Sequence, residues 1–266
     1  MKNTINFSAS AEFSEKKNRF SSLCAEDEAA SPPESVGIGT YNEKRIHRIL
    51  KKFVCEDESC HEVKIGRYVA DVLKDGQITE IQTAGFTSLN AKIRFYLENT
   101  DYNITVIHPM IAEKTIIRTN KGTGELIRTK RSPKHLKPID ALPELIYISE
   151  FIDEPRFEIK FLMIRADEYR YSEKIRYRKK GAYDNDIVPR ELIDISTVRS
   201  ANDIRDLVPS GLRDAPHRAA ELSSALGMKG RKLYRALACL TALGILKKIP
   251  EGKRGYVYEY QNNINL

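Results

Sequence analysis

The stretch EVKIGRYVADVLKDGQITEIQTA, residues 62–84, decides how the chain folds. Its two halves, 62–73 and 77–84, are enriched in Val, Ile, Tyr and Thr and read as strands. Lys74-Asp75-Gly76 between them supplies the residues a tight turn needs. In the second half, Ile78, Glu80 and Gln82 share one face and Ile81 takes the other, because a strand repeats every two residues. Thr87 or Ser88 then caps a helix with Leu89, Ile93, Tyr96 and Leu97 on its apolar side. NITVIHP (103–109) follows as a short buried strand. Upstream, Ile46, Ile49, Leu50 and Phe53 recur at helical spacing within 41–53. The order is helix, two or three strands, helix, strand.

Further out, residues 1–38 are rich in Ser, Ala, Glu and Lys without a sustained period, and read as a mobile or loosely docked lead-in. Residues 114–130 read as a basic hairpin turning at Gly122 and Gly124, followed by a helix near 140–152 and a strand near 157–165. We therefore expect a first domain over 39–165 and connecting structure over 166–208. Over 209–266, a helix ended by Gly227, a leucine-rich helix with Leu233, Leu237, Leu240 and Leu243 inward, and two strands give the order of a winged helix-turn-helix.

Of the residues, 41% are hydrophobic and 30% charged, and no apolar run is long enough to span a bilayer. The start, MKNTINFSASAEFSEKKNRF, lacks the apolar core of a secretion signal, so the expectation is a cytoplasmic protein without a membrane partner. Cys24, Cys55, Cys60 and Cys239 are too scattered for a disulfide framework. Cys55, Cys60 and His61 lack a second ligand pair at zinc-site spacing. The net charge of +7 is concentrated. Residues 114–137 hold eight Lys/Arg against Glu125 alone, and 211–255 hold ten against three acids. Two basic zones point to a polyanionic partner.

The chemistry rests on Asp71, Glu80 and Gln82, a D-x8-E-x-Q pattern across the turn. Adjacent antiparallel strands bring Asp71 and Glu80 together, and two oxygen-bearing groups suit a hard octahedral cation that keeps water and phosphate ligands. Such an ion activates water and neutralises charge on a phosphate.

Helix, D…E-x-Q, helix and strand in that order resembles the PD-(D/E)XK nuclease superfamily over about residues 41–109. The resemblance implies an α/β fold with a restriction-endonuclease-like αβββαβ core and mixed sheet. It also implies Mg²⁺ (or Mn²⁺) held by Asp71 and Glu80, with Gln82 in the usual lysine position, an E-x-Q variant. Gln82 cannot supply the lysine's charge, and Lys92, at the edge of the following helix, is the expected replacement, a relocation the superfamily allows. Glu43, early in the first helix, matches an acidic residue that some members place there. HEVKIGRYVADVL, ITEIQT and RSPKHLKP (131–138) with a C-terminal winged helix are also similar to bacterial proteins of unassigned function.

In a winged helix the second helix lies in the major groove and the wing touches the backbone. Lys229, Arg231, Lys232 and Arg235 start that helix, and Lys253 and Arg254 sit at the wing tip. Lys130, Arg131 and Lys134 would grip backbone beside the cleft. Tyr169, Tyr171 and Tyr177, interleaved with Arg170, Lys174, Arg176 and Arg178, read either as a backbone-tracking surface or as a twisted exposed strand. The resulting expectation is a metal-dependent DNA endonuclease recruited to double-stranded DNA by its winged helix. The alternatives are a non-catalytic DNA-binding regulator on a degenerate core, and an RNA-processing nuclease. Many members of the superfamily act as dimers, so a homodimer is one expected assembly.

Overall fold

The computed structural model describes residues 7–32, 40–120, 123–172, 184–252 and 255–262. Two helices lead, α1 (Phe7–Ala30) and α2 (Thr40–Val54), followed by β1 (His61–Ile65), β2 (Tyr68–Lys74) and β3 (Gln77–Ile81). Asp75 and Gly76 take φ of 49° and 75°, the pair of left-handed conformations that matches a two-residue turn to the twist of its strands. Lys74 accordingly pairs with Gln77. The run 62–73, expected as one strand, is divided at Gly66. There φ is +59° and a β-carbon would lie 2.4 Å from Cζ of Phe95, so glycine is required where the chain turns to pair Ile65 with Tyr68.

α3 (Leu89–Asn99) crosses over and returns the chain as β4 (Asn103–Asn120), parallel to β3. Ser88 occupies the N-cap position, but its backbone is already helical and its hydroxyl makes no capping bond. The expected strand at 103–109 and first arm of the basic hairpin are one 18-residue strand. β5 (Leu126–Arg131) folds back on it with Thr115 opposite Arg131. The helix expected over 140–152 shortens to α4 (Leu142–Leu145) between two 3-10 turns. β6 (Phe157–Ser172) runs parallel to β4, and β7 (Asp184–Val198) antiparallel to β6. The mixed sheet has the order β1-β2-β3-β4-β6-β7, with β5 paired to β4.

Both faces of this sheet are covered. α3 and α4 lay Leu89, Ile93, Tyr96, Leu142 and Leu145 against Ile78, Ile104, Val106 and Ile159. On the other face Phe20, Ile46, Ile49 and Leu50 from α1 and α2 pack on Ile81, Ile107, Leu162 and Leu192. The lead-in expected over 1–38 is thus corrected for residues 7–30. α1 buries Phe20 and Cys24, and Asp27 receives Arg45 Nη1 at 2.7 Å and Arg48 Nε at 2.6 Å. Arg45 is 5% exposed and is held as well by Asp186 at 3.2 Å and the Ser31 carbonyl, so removing Asp27 would leave this buried charge with one carboxylate partner instead of two.

The boundary expected at 165 falls inside β6, and 184–198 is a sheet strand rather than a connection. Charged residues hid it. Glu168 is buried in mid-strand between Lys114 (2.5 Å) and Arg170 (2.6 Å), and Arg190 of β7 spans Asp167, Tyr169 and Glu28. Cross-strand charge pairing here replaces the apolar alternation by which a half-buried strand is read. Tyr169 and Arg170 therefore belong to β6 as sheet residues, while Lys174, Arg176, Tyr177 and Arg178 lie outside the described residues.

After α5 (Ala201–Leu207) come β8 (His217–Arg218), α6 (Ala219–Leu226), α7 (Gly230–Ala242), β9 (Leu246–Pro250) and β10 (Tyr256–Tyr260). The strands form a small antiparallel sheet in the order β8-β10-β9. Gly227 ends α6 in the left-handed conformation, as its sequence position predicts. Leu233, Ala236, Leu237 and Leu240 of α7 belong to the same apolar cluster as Leu142, Leu145 and Ile148, so this unit packs directly on the first.

Candidate active site

Continuing the pairs Leu73↔Ile78 and Val72↔Thr79 by one residue sets Asp71 opposite Glu80 across the β2–β3 hairpin. Glu80 is 3% exposed. Its Oε2 accepts from Lys92 Nζ at 2.5 Å and its Oε1 from the Tyr96 hydroxyl at 3.1 Å. Lys92 and Tyr96 are four residues apart on α3 and so share the helix face that meets the sheet. Asp71 Oδ2 accepts the Ile81 backbone N–H at 2.7 Å and lies 3.2 Å from His47 Nε2 of α2.

The two carboxyls are driven in opposite directions. Burial pushes Glu80 up to about 7, and the Asp71 charge adds to that push, while Lys92 and Tyr96 oppose it. Burial would also raise Asp71, but His47, the Ile81 N–H and Lys92 together outweigh it and hold Asp71 below the usual carboxylate range. Near neutral pH the pair therefore combines an ionised Asp71 with a Glu80 that exchanges its proton. Carboxyls poised this far apart are enriched at functional sites.

Gln82 takes a different part from the one its position in the pattern implies. It follows the last residue of β3, and its Nε2 donates to the Gly85 carbonyl at 2.6 Å rather than to either carboxylate. Its backbone N–H donates to Ile107 and its carbonyl accepts from His108, so it anchors the β3–α3 loop. Lys92 does reach the pair. Glu43 lies in the first turn of α2, with its side chain outside the described residues. His47, one helical turn later, is the α2 residue that meets Asp71; the i, i+4 relation to Glu43 was the signal that could have found it. Tyr96 was read only as core, because a tyrosine in an apolar stripe does not show where its hydroxyl points.

Two carboxylates suit Mg²⁺, which accepts one or two beside water and phosphate oxygens. A cation on Glu80 would take the place now held by the Lys92 ammonium. Among the described residues no group of three or more His, Cys, Asp or Glu side chains is arranged to hold a metal, Cys55, Cys60 and His61 included.

Of the basic residues, Lys130, Arg131 and Lys134 are exposed, and Arg131 lines a pocket of about 430 Å³ with Lys114, Ser132, His135 and Arg165. Lys229, Arg231 and Lys232 are exposed at the start of α7. Arg235 turns toward the first unit, stacking over Tyr147 at 5.4 Å with Nη1 3.9 Å from Glu144. Glu144 in turn accepts the Phe86 N–H, in the loop that Gln82 anchors. Lys253 and Arg254 lie outside the described residues.

Residues 44–199 match a family described as "Domain of unknown function (DUF8091)", which covers more than half of the chain. The chain belongs to the DUF8091 family. The DUF8091 match takes in His47, Asp71, Glu80, Gln82, Lys92 and Tyr96, and runs through β7, so it ends one sheet edge beyond the boundary expected from sequence. It leaves out α1 and the C-terminal unit. The chain is also similar to an "Uncharacterized protein" of Treponema pallidum (strain Nichols), 25% identical over 164 residues, which are 60% of this chain and 62% of that protein. The match thus spans less than two thirds of that relative's length. No solved structure matches. Among the described residues no helix is long and apolar enough to cross a membrane.

Proposed function

We propose that this protein is a metal-dependent nuclease with a PD-(D/E)XK-like core, brought to DNA by a C-terminal winged helix. The observation that carries the reading is the Asp71–Glu80 pair across one hairpin with Lys92 Nζ 2.5 Å from Glu80. Support also comes from the element order α2-β1-β2-β3-α3-β4 with β4 parallel to β3, which has the αβββαβ form. The β8-α6-α7-β9-β10 order, with Lys229, Arg231 and Lys232 exposed at the start of its second helix, supports the recruiting role.

Asp71 and Glu80 would hold Mg²⁺ or Mn²⁺, which supplies Lewis acidity and charge neutralisation at a scissile phosphate. His47 orients the Asp71 carboxylate through Oδ2, and Tyr96 fixes Glu80 through Oε1. Displaced from Glu80, the Lys92 ammonium would stand beside the phosphate and stabilise its developing negative charge. Gln82 acts only through the loop it anchors.

A second reading is favoured by a specific observation: Glu80 has both oxygens engaged and Gln82 is turned to Gly85, as in a core that binds without cutting. Purified protein incubated with plasmid, single-stranded DNA and RNA, with and without Mg²⁺ or Mn²⁺, separates the readings. The nuclease reading expects metal-dependent cleavage that Asp71→Ala abolishes. Binding without cleavage in either metal would favour a DNA-binding regulator, and cleavage of RNA alone an RNA-processing enzyme.

A further inference from the structure

The pocket of about 430 Å³ lined by Arg131, Ser132 and Arg165 is built by strand register. There Thr115 of β4 stands opposite Arg131 of β5, and Glu113 of β4 opposite Arg165 of β6. Opposed residues share a sheet face, as do positions two apart along one strand, so these four side chains stand on one face. Arg131 and Arg165 bracket Glu113 and Thr115 from strands roughly 10 Å apart. Ser132 forms the wall where the chain leaves β5, its backbone N–H donating to the Lys114 carbonyl at 2.7 Å. His135 closes the loop back onto β4, with Nδ1 3.0 Å from the Ala112 carbonyl.

Its donors are incompletely used. Arg131 makes no ion pair or hydrogen bond among the described residues, so its guanidinium fork is open. Arg165 commits Nε to Glu113 at 2.8 Å and Nη1 to Glu191, which leaves Nη2. Ser132 is 8% exposed; its Oγ accepts the Lys134 N–H at 3.2 Å and donates to no acceptor among the described residues. A hydroxyl this buried ordinarily has its proton engaged. The charge is also unbalanced. Lys114 shares Glu168 with Arg170, at 2.5 and 2.6 Å, and Arg165 shares Glu191 with Lys17. With Arg131, five cations face the carboxylates of Glu113, Glu168 and Glu191, an excess of two charges. A phosphate monoester matches this excess, since it carries nearly two negative charges at neutral pH and three acceptor oxygens. Its oxygens also fit an arginine fork in pairs. A carboxylate, or a phosphodiester inside a strand, brings a single charge.

We propose that this pocket binds a phosphate monoester, its oxygens held by the Arg131 fork, Arg165 Nη2 and the Ser132 hydroxyl. The site is separate from the carboxylate pair. Glu80 pairs with Val106 of β4, and Glu113 lies roughly 23 Å further along that strand. The pocket therefore stands whether or not Asp71 and Glu80 support cleavage. The monoester comes from a free nucleotide or from the phosphorylated end of a polynucleotide.

The test is calorimetric titration of the full chain, in EDTA and phosphate-free buffer, with inorganic phosphate, thymidine monophosphate, thymidine and acetate. Phosphate and the monophosphate should bind, and thymidine and acetate should not. Arg131→Ala should weaken binding roughly tenfold or more, because a bidentate charged contact is lost. Arg131 is exposed, so its truncation leaves the fold intact, which a thermal melt checks. Arg131→Lys should fail to restore the affinity, since an ammonium lacks the fork. Ser132→Ala should weaken binding less than Arg131→Ala does. Arg128→Ala removes an equal charge from the opposite face of β5 and should change nothing. Oligothymidylates with and without a terminal phosphate then identify the source, tighter binding of the phosphorylated form marking a strand end and equal binding a free nucleotide.

Either source upholds the pocket. Absence of phosphate and monophosphate binding at millimolar concentration would overturn the proposal, as would acetate binding as well as phosphate. Affinity unchanged in both Arg131→Ala and Ser132→Ala would overturn it too. An equal loss in Arg128→Ala would assign the binding to diffuse surface charge instead. None of these outcomes bears on cleavage at Asp71 and Glu80, which EDTA silences throughout.

Discussion

Replacing Glu80 with Gln separates a functional carboxyl from a structural ion pair. In the folded protein burial raises Glu80 from 4.5 to about 7, so between those values the folded state holds a proton that the unfolded chain releases. A group whose folded pKa is raised contributes stability that is fully present below the unfolded value and lost as pH rises through the folded one. At about 1.4 kcal/mol per pH unit, the cost to the fold at pH 8 is about 3 kcal/mol relative to pH 4. The substituted amide carries no charge at any pH and keeps an acceptor for Lys92 or Tyr96. Glu80→Gln should therefore be more stable than wild type at pH 8, by up to about 3 kcal/mol, and the gain should shrink to below about 1 kcal/mol at pH 5. Urea unfolding at intervals from pH 5 to 8.5 measures it. A variant equally destabilised across that range would show that the Lys92–Glu80 contact holds the fold together and would refute the reasoning.

Gly66→Ala should cost about 1–3 kcal/mol, because the new methyl meets Phe95 at 2.4 Å and φ is +59°; a thermal melt reads this directly. Phe20→Ala should destabilise the whole chain by about 3–5 kcal/mol in denaturant unfolding, since the ring is 1% exposed in the cluster with Ile49 and Leu50. A dispensable lead-in would give no change. Truncation after Val208 should yield aggregated or strongly destabilised protein by light scattering, because it uncovers Leu142, Leu145 and Ile148.

The central hairpin was legible because Asp75-Gly76 is a turn signal with a steric cause and Ile78, Glu80 and Ile81 alternate cleanly. α3 was legible from Leu89, Ile93 and Tyr96 for the same kind of reason. Periodicity failed where charge does the work of apolar surface. α1 presents few apolar residues to the sheet and is fastened by Asp27 and Glu28 to arginines far along the chain. β6 and β7 bury Glu168 and engage Asp167 and Arg190, which read locally as a solvated surface. Asp71, Glu80 and Lys92 were found from strand period and helix phase. His47 was missed because its contact with Asp71 exists only once α2 packs on the sheet, and its i, i+4 relation to Glu43 was the one signal within the sequence. Gln82 joins the pair only if the strand runs on to residue 84, whereas β3 stops at Ile81 and the loop turns the amide to Gly85.

The most direct measurement is the rate of plasmid cleavage against Mn²⁺ or Mg²⁺ concentration for wild type and Glu80→Ala. Saturable, metal-dependent cleavage by wild type and loss of at least about a hundredfold in the variant are the predicted result, given the usual cost of removing a transition-state stabilising group. Cleavage that survives Glu80→Ala, or no cleavage at any concentration of either metal, would contradict the account.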